Sequence, residues 1–335
     1  MKICVRQVRG NSGSDVWAEN LCNGIASSGH QCSVDLKSQL YQFFPYLPIW
    51  SEDQNDADII QSNTWNGFAF KDEGVPLVVA EHHIVHDPAY DPYRTIPQKL
   101  YHSWIFHCER KSIDVADSVI CVSRYTQKKI EDVFGFSDSH VIYNGIDTSV
   151  FKPLDPINTN WNIPSGKTIL FYAGNLSPRK GADLLSPIMK QLGDQYVLLL
   201  ATGQRDLADL HGKNIINLGR LSVHDLVKAY NRCDIFLSPS RLEGFGLSIA
   251  EAMSCGKPVV ATNGSSLPEL VVDEKGGLLC RMDDVVDFAE KIRYISEDEN
   301  LRLEMGAFNH IRVEDLFTLE KMVNGYLNLY QSLVH

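Results

Sequence analysis

The chain has 335 residues, 44% hydrophobic and 22% charged, with 23 Gly and 14 Pro. That is the composition of an ordinary globular protein long enough for two cores, and it excludes disordered, fibrous and low-complexity classes. Its 31 Lys and Arg against 42 Asp and Glu leave a net charge of −11, which argues against a nucleic-acid partner held by phosphate neutralisation.

In chain order, short apolar runs alternate with stretches of helical period: 2–8 then 14–28, 32–36, 58–61, 76–80 then 97–115, 118–122 then 124–133, and 140–142. A second series follows, with 168–173 then 181–192, 196–202, 214–217 then 222–231, 234–238 then 247–254, 258–261 and 277–280. The alternation predicts parallel sheets flanked by helices, in two α/β domains. Between them, 152–166 is rich in Pro, Asn, Ser and Gly without periodicity, which places a linker there. Apolar residues spaced three and four apart predict an amphipathic helix over 313–334. The start lacks the apolar core of a signal peptide, and no run approaches the roughly 18 apolar residues of a spanning helix, so a cytoplasmic protein is expected. The eight cysteines never pair as C-x-x-C and several lie in apolar runs, which predicts free thiols and no zinc site.

The most informative stretch is SPSRLEGFGLSIAEAMSCGKPVVA, 238–261. A strand ends in a polar loop holding Glu243, Gly244, Phe245 and Gly246, and helix formers run from Leu247 to Met253. The unpaired N–H groups at the start of that helix attract an anion, and the glycines let it approach the backbone. A phosphate or diphosphate fits best. Carboxylates beside a phosphate need uncharged partners, and Glu243 and Glu251 would find them in vicinal hydroxyls, which an ionised carboxylate accepts. Phosphate plus two polyols describes a sugar nucleotide.

Glu243 and Glu251 match the Glu-x7-Glu motif of retaining glycosyltransferases of family 4 (glycosyl transferases group 1), and the flanking EGFGLSIAEAMSCGKPVV is close to that family's usual form. VIYNGIDTSVFKP (141–153), ADSVICVS (116–123) and the stretch from Ser12 to His30 resemble its other segments, so the likeness runs over nearly the whole chain. It implies the GT-B fold, two Rossmann-like domains with parallel sheets facing a central cleft. Residues 1–152 would form the acceptor-binding domain, 165–312 the nucleotide-sugar domain, and 313–335 a helix crossing back to the first. The implied activity is transfer of a hexose-type sugar, with retention, from a nucleoside-diphosphate sugar to a hydroxyl of a glycan or lipid-linked acceptor in bacterial surface polysaccharide or glycolipid assembly. A sugar-nucleotide epimerase on the same fold and a non-catalytic sugar-nucleotide-binding scaffold are the alternatives.

The same resemblance assigns roles. Glu243 would contact sugar hydroxyls and Glu251 the ribose diol, while Gly244, Phe245, Gly246 and Leu247 lie at the diphosphate. In GNLSPRKGA, 174–182, Arg179 and Lys180 would neutralise charge on the leaving diphosphate. Asn175 belongs to the same donor-binding set but stands where the family more often has Arg. His82, with His83 as a register alternative, would approach the transferred sugar, and Gly13 would bring the first loop to the donor phosphate. No metal or other cofactor is expected. The i, i+4 spacing of His82 and His86 suits two metal ligands only on a helix, which the preceding strand and Pro88 disfavour.

The stretch 38–50 packs aromatics and two Pro without a charge, which suits an apolar ledge for a lipid-linked acceptor, or a loop packed on its own domain, with Tyr46 and Trp50 as interfacial anchors. Arg94, Lys99, Arg110, Lys111, Arg124, Lys128 and Lys129 would face anionic lipid, as a peripheral protein on the inner membrane face requires, or form a scattered solvated face.

Overall fold

The computed structural model describes residues 1–10, 13–44, 56–155, 159–203 and 212–334. They divide into two compact units, Met1–Gly145 with Leu319–His335, and Ile146–Thr318.

The first unit runs β1 (Lys2–Val8), α1 (Gly13–Ser27), β2 (Gln31–Lys37), β3 (Ile59–Asn63), β4 (Leu77–Glu81), α2 (Ile96–Val115), β5 (Ser118–Cys121), α3 (Arg124–Phe134) and β6 (Ser139–Val141). The second runs β7 (Thr168–Ala173), α4 (Ala182–Leu192), β8 (Tyr196–Ala201), β9 (Ile215–Asn217), α5 (Val223–Arg232), β10 (Ile235–Ser238), α6 (Leu247–Ser254), β11 (Val259–Thr262), α7 (Leu267–Leu270), β12 (Gly277–Cys280), α8 (Val285–Glu297) and α9 (Glu299–Leu316), before α10 (Leu319–Leu333) returns the chain to the first unit.

Each unit is built on a six-stranded sheet, in the orders β2-β1-β3-β4-β5-β6 and β12-β11-β10-β7-β8-β9, and every pairing is parallel. Parallel strands are covered on both faces, so they read as near-continuous apolar runs, as β4 (LVVAE) and β8 (YVLLLA) do. Strand order reverses between β1 and β3 in the first sheet and between β7 and β10 in the second. In open α/β sheets the carboxyl ends of strands flanking such a reversal form the natural ligand crevice. In the second unit those ends carry 174–181 and 239–246.

The boundary lies at Gly145/Ile146 and not in the stretch 152–165. Residues after 145 already belong to the second unit, because Ile146 N–H donates to Phe317 O at 2.8 Å, Ser254 Oγ–H to Phe151 O at 2.5 Å, and Leu154 N–H to Asn231 at 2.8 Å. Breaker-rich composition therefore marks an irregular segment here, not a junction.

The single helix expected over 313–334 is two. α9 ends at Leu316, and Phe317 turns the chain before α10 begins. α9 itself escapes periodicity analysis because its buried stripe includes Gly306 and Asn309. A Cβ on Gly306 would meet Gly256 O at 2.1 Å, and Asn309 donates to Lys257 O and Gly276 O at 2.8 and 2.5 Å. α10 packs Met322, Val323, Tyr326, Leu327 and Tyr330 into the first unit's core with Trp17, Leu21 and Ile25 of α1. The Tyr330 hydroxyl donates to Gln61 at 2.7 Å, which ties the last helix to β3. All eight cysteines are unpaired thiols.

Tyr326 is fully buried and its ring lies 5.9 Å from that of Trp17. Removing a buried aromatic of this size costs about 3–5 kcal/mol, so Tyr326→Ala is expected to lower the urea midpoint of unfolding sharply. An unchanged midpoint would show that α10 does not complete the first unit's core.

Candidate active site

In the second unit the turn after β7 and the loop after β10 are fastened together. Ser177 accepts from Lys180 N–H to cap a 3-10 turn over Pro178–Lys180, and Gly181 ends it with φ +66° before α4. Gly181 is required twice, by that left-handed φ and because a Cβ would stand 2.0 Å from Pro239 O. Arg241 completes the fastening. Its guanidinium donates to both Asp183 oxygens and to Asp283, each at 2.7 Å, and to Pro178 O at 2.5 Å. Its backbone N–H donates to Arg179 O at 2.9 Å, and Arg179 Nη1 returns a bond to Leu242 O at 2.9 Å.

This arrangement brings the sequence-predicted cations to Glu243. Lys180 Nζ donates to Glu243 Oε1 at 2.5 Å and Arg179 Nη1 stands 3.7 Å from Oε2. Burial alone would push the Glu243 carboxyl up, but Lys180 and then Arg179 outweigh it and hold it below the ordinary carboxylate range. Burial lowers the Lys180 ammonium despite its carboxylate partner. The loop beyond is pinned from β11's far end, where Ser265 Oγ accepts from Glu243 N–H at 3.1 Å and Ser266 Oγ–H reaches the Glu243 and Phe245 carbonyls.

Gly246 takes φ +104° and opens α6 with no side-chain cap, so the first N–H groups of that helix are left for another acceptor. Phe245 turns its side chain into the core, 5.5 Å from the Phe317 ring, and so offers a ligand only its backbone. Glu251 feels the charge of Lys180 but takes its hydrogen bond from elsewhere. It accepts the Tyr230 hydroxyl at 2.6 Å, and burial raises its carboxyl to about 7 against the opposing Tyr230 bond and Lys180 charge. The Asn175 carbonyl accepts the Tyr172 hydroxyl at 3.1 Å, and its side chain occupies the space a Cβ on Gly203 would need.

The first unit holds the remaining predicted residues. Gly13 is the first residue of α1 and not the tip of a loop; Asp15 in that first turn accepts from Gly10 N–H at 3.0 Å. His82 follows β4, half-buried, with its ring edge-on to Trp17 at 4.5 Å and its Nε2 enclosed without a hydrogen-bond partner. Burial lowers it to about 4, so it is a neutral imidazole at pH 7. His83 turns the other way, 5.9 Å from Trp65. His86 pairs with the buried Glu109 at 2.6 Å, and among the described residues no group of three or more His, Cys, Asp or Glu could hold a metal. Glu81 is buried and raised to about 8, chiefly by burial and then by Glu109, while Thr64 and His83 N–H donate to it.

Sequence reasoning missed Arg241, Tyr230, Ser265 and Ser266. Arg241 had a signal, since it lies two residues before Glu243 in a loop that otherwise buries. Tyr230 had none, because it reaches Glu251 from α5 through tertiary packing alone.

Residues 155–310 match the family described as Glycosyl transferases group 1, and residues 35–150 match Glycosyltransferase Family 4. An uncharacterized glycosyltransferase of Methanocaldococcus jannaschii is 30% identical over 224 residues, covering 65% of this chain and 60% of that protein. A GDP-mannose-dependent monoacylated alpha-(1-6)-phosphatidylinositol monomannoside mannosyltransferase of Corynebacterium glutamicum is 30% identical over 248 residues, 67% of this chain and 64% of that one. The chain thus spans about three-fifths of the length of these relatives. Among solved structures, sucrose-phosphate synthase from Thermosynechococcus elongatus superposes with TM-score 0.85 over 99% of both chains at 19% identity, and an Anabaena protein in complex with UDP-glucose with TM-score 0.79 over 99% of this chain and 100% of that one at 20%. At such identity the likeness is one of fold.

The Glu251 carboxyl gives a pH test. Its folded value of about 7 stands above the ordinary 4.5, so between those values the folded state holds more protons than the unfolded. Stability from this group is present at low pH and is lost as the pH rises through about 7. Glu251→Gln is expected to flatten that decline, melting like the native chain at acid pH and above it in alkali without ligand. An identical pH profile in the variant would place the titrating group elsewhere.

Proposed function

Because this chain belongs to the family 4, group 1 glycosyltransferases, we propose that it moves a hexose-type sugar, with retention of anomeric configuration, from a nucleoside-diphosphate sugar to a hydroxyl of a glycan or lipid-linked acceptor. The observation that carries this reading is the meeting of Lys180, Arg179 and Glu243 beside the uncapped start of α6. Two cations and a helix start without a side-chain cap are what a diphosphate needs, and a carboxylate kept ionised among them accepts hydroxyls of the sugar it carries. Glu251, released from Tyr230, would accept the ribose diol. Asn175, Gly244, Phe245, Gly246 and Leu247 shape the same donor site.

In the proposed reaction the bond from the anomeric carbon to the diphosphate oxygen breaks and a bond from that carbon to the acceptor oxygen forms on the same face. The acceptor proton passes to the leaving diphosphate oxygen. Arg179 and Lys180 stabilise the charge that develops there, the task a metal ion performs in other transferases. His82, neutral and enclosed, would donate or accept a hydrogen bond at the transferred sugar, with Gly13 at the donor phosphate. The relatives' names include a mannosyltransferase acting on a phosphatidylinositol mannoside and an O-antigen biosynthesis glycosyltransferase of Escherichia coli, which supports a role in surface polysaccharide or glycolipid assembly.

UDP, GDP, ADP and their sugars, added without metal, should include one nucleotide series that raises the melting temperature, since a ligand of the folded state alone stabilises it. Glu251→Ala is expected to weaken that ligand about tenfold to a hundredfold, the worth of hydrogen bonds to a charged group. Unaltered affinity in calorimetry would remove Glu251 from the ribose. Turnover should survive EDTA, and activity restored only by added metal would overturn the assignment of the leaving group to Arg179 and Lys180.

A further inference from the structure

Of the apolar ledge expected over 38–50, the described residues end at 44, so Tyr46 and Trp50 lie outside them. The unexplained feature of the first unit is in its interior, where β4 ends. Glu81 and Glu109 are 1% and 0% exposed, and both bond to the turn that runs from His82 to Asp87. Glu81 Oε1 accepts His83 N–H and its Oε2 accepts the Thr64 hydroxyl, both at 2.8 Å, which ties the start of the turn to the ends of β4 and β3. Glu109, on α2, holds the His86 imidazole at 2.6 Å. Asp87, also buried, closes the turn by accepting from Ala89 N–H at 3.0 Å, from Lys129 at 3.2 Å and from the Tyr125 hydroxyl.

Buried carboxyls thus grip this short turn at both ends. His82, carried between them, is not fastened by its own Nε2, which makes no hydrogen bond, and its ring rests edge-on to Trp17. Its place follows from the backbone that the carboxyls hold. Packing alone does not require this arrangement, since apolar side chains of similar volume fill such space without the cost of burying acids. Buried titratable groups gathered beside a proposed site point to a task there.

We propose that Glu81 and Glu109 are positioning residues for sugar transfer: through the His83 amide and the His86 ring they fix the 82–87 turn, and with it the His82 imidazole. This rests on the proposed role of His82 at the transferred sugar and adds what keeps that residue in place. The clasp carries a pH dependence. Glu81 faces Glu109 from α2, His86 from the turn, Thr64 after β3 and Cys121 from β5, and burial, then Glu109, raises it to about 8. Burial, aided by Arg94, lowers His86 to about 4 against the pull of Glu81, so that ring brings no positive charge at pH 7. The buried Glu81 keeps a proton that an exposed carboxyl, at 4.5, would release. The clasp is therefore firm at low pH and weakens as the pH rises through about 8.

The test uses the full chain, with the nucleotide sugar that raises its melting temperature as donor and water as acceptor, nucleotide release being followed across neutral and alkaline pH. Native turnover is expected to fall above about pH 8. Glu81→Gln, which keeps the volume and cannot ionise, should lose that fall. Glu109→Ala should lower kcat about a hundredfold, the effect of an ångström's misplacement at a reacting group, with donor KM unchanged. Glu109→Gln should retain most of the rate, because burial raises the Glu109 carboxyl and a neutral amide can stand in for it. In the free chain Glu109→Ala should also quicken hydrogen–deuterium exchange over 82–87, which tests the clasp without any donor. An alkaline fall that persists in Glu81→Gln, or native kcat in Glu109→Ala, would overturn the proposal. If Glu109→Ala does not fold, the pH profile of Glu81→Gln decides. A nucleotide panel without any shift would count against the donor reading, whereas unaltered exchange over 82–87 in Glu109→Ala would count against the clasp.

Discussion

The candidate site of the second unit depends on one close approach, that of the turn after β7 to the loop after β10. Gly181 allows it by having no Cβ, and Arg241 holds it with a guanidinium spread over Asp183, Asp283 and Pro178 O. Without this contact Lys180 and Arg179 would have no reason to converge on Glu243, because cations on a free turn disperse into water. The Arg241 guanidinium is itself buried, so removing its carboxylate partners would leave its charge uncompensated and loosen the contact. The site is therefore assembled in the folded chain before any ligand arrives, and binding need not order it.

The two carboxylates of the Glu-x7-Glu pair are held in opposite states. Glu243 sits among cations and stays ionised, whereas Glu251 is held by Tyr230, where burial outweighs the Lys180 charge, and rises to about 7. Sequence spacing shows them as equals; environment separates them. The first unit repeats the theme with Glu81 and Glu109, two buried carboxyls raised chiefly by burial, Glu81 also by Glu109, beside neutral His82 and His86.

Much of the fold was legible because parallel strands are apolar throughout. Runs such as 76–80 and 196–202 announced β4 and β8 to within a residue or two. What failed to show were contacts made without apolar periodicity: α9, which buries Gly306 and Asn309, and the unit boundary, which follows backbone bonds at Ile146 and not the prolines downstream. At the candidate site, Glu243, Arg179 and Lys180 were legible from local motif chemistry. Arg241, Tyr230 and the Ser265–Ser266 pins were not, since their partners lie tens of residues away in sequence.

The central claim is that the turn at 177–182 and the start of α6 hold a nucleoside diphosphate. Hydrogen–deuterium exchange with and without the nucleotide that stabilises the chain tests it most directly. The account predicts slowed exchange in peptides covering 177–182 and 243–251, with the far edge of the same sheet at β12 unaffected. Protection confined to other segments, with those two exchanging as in the free chain, would contradict it.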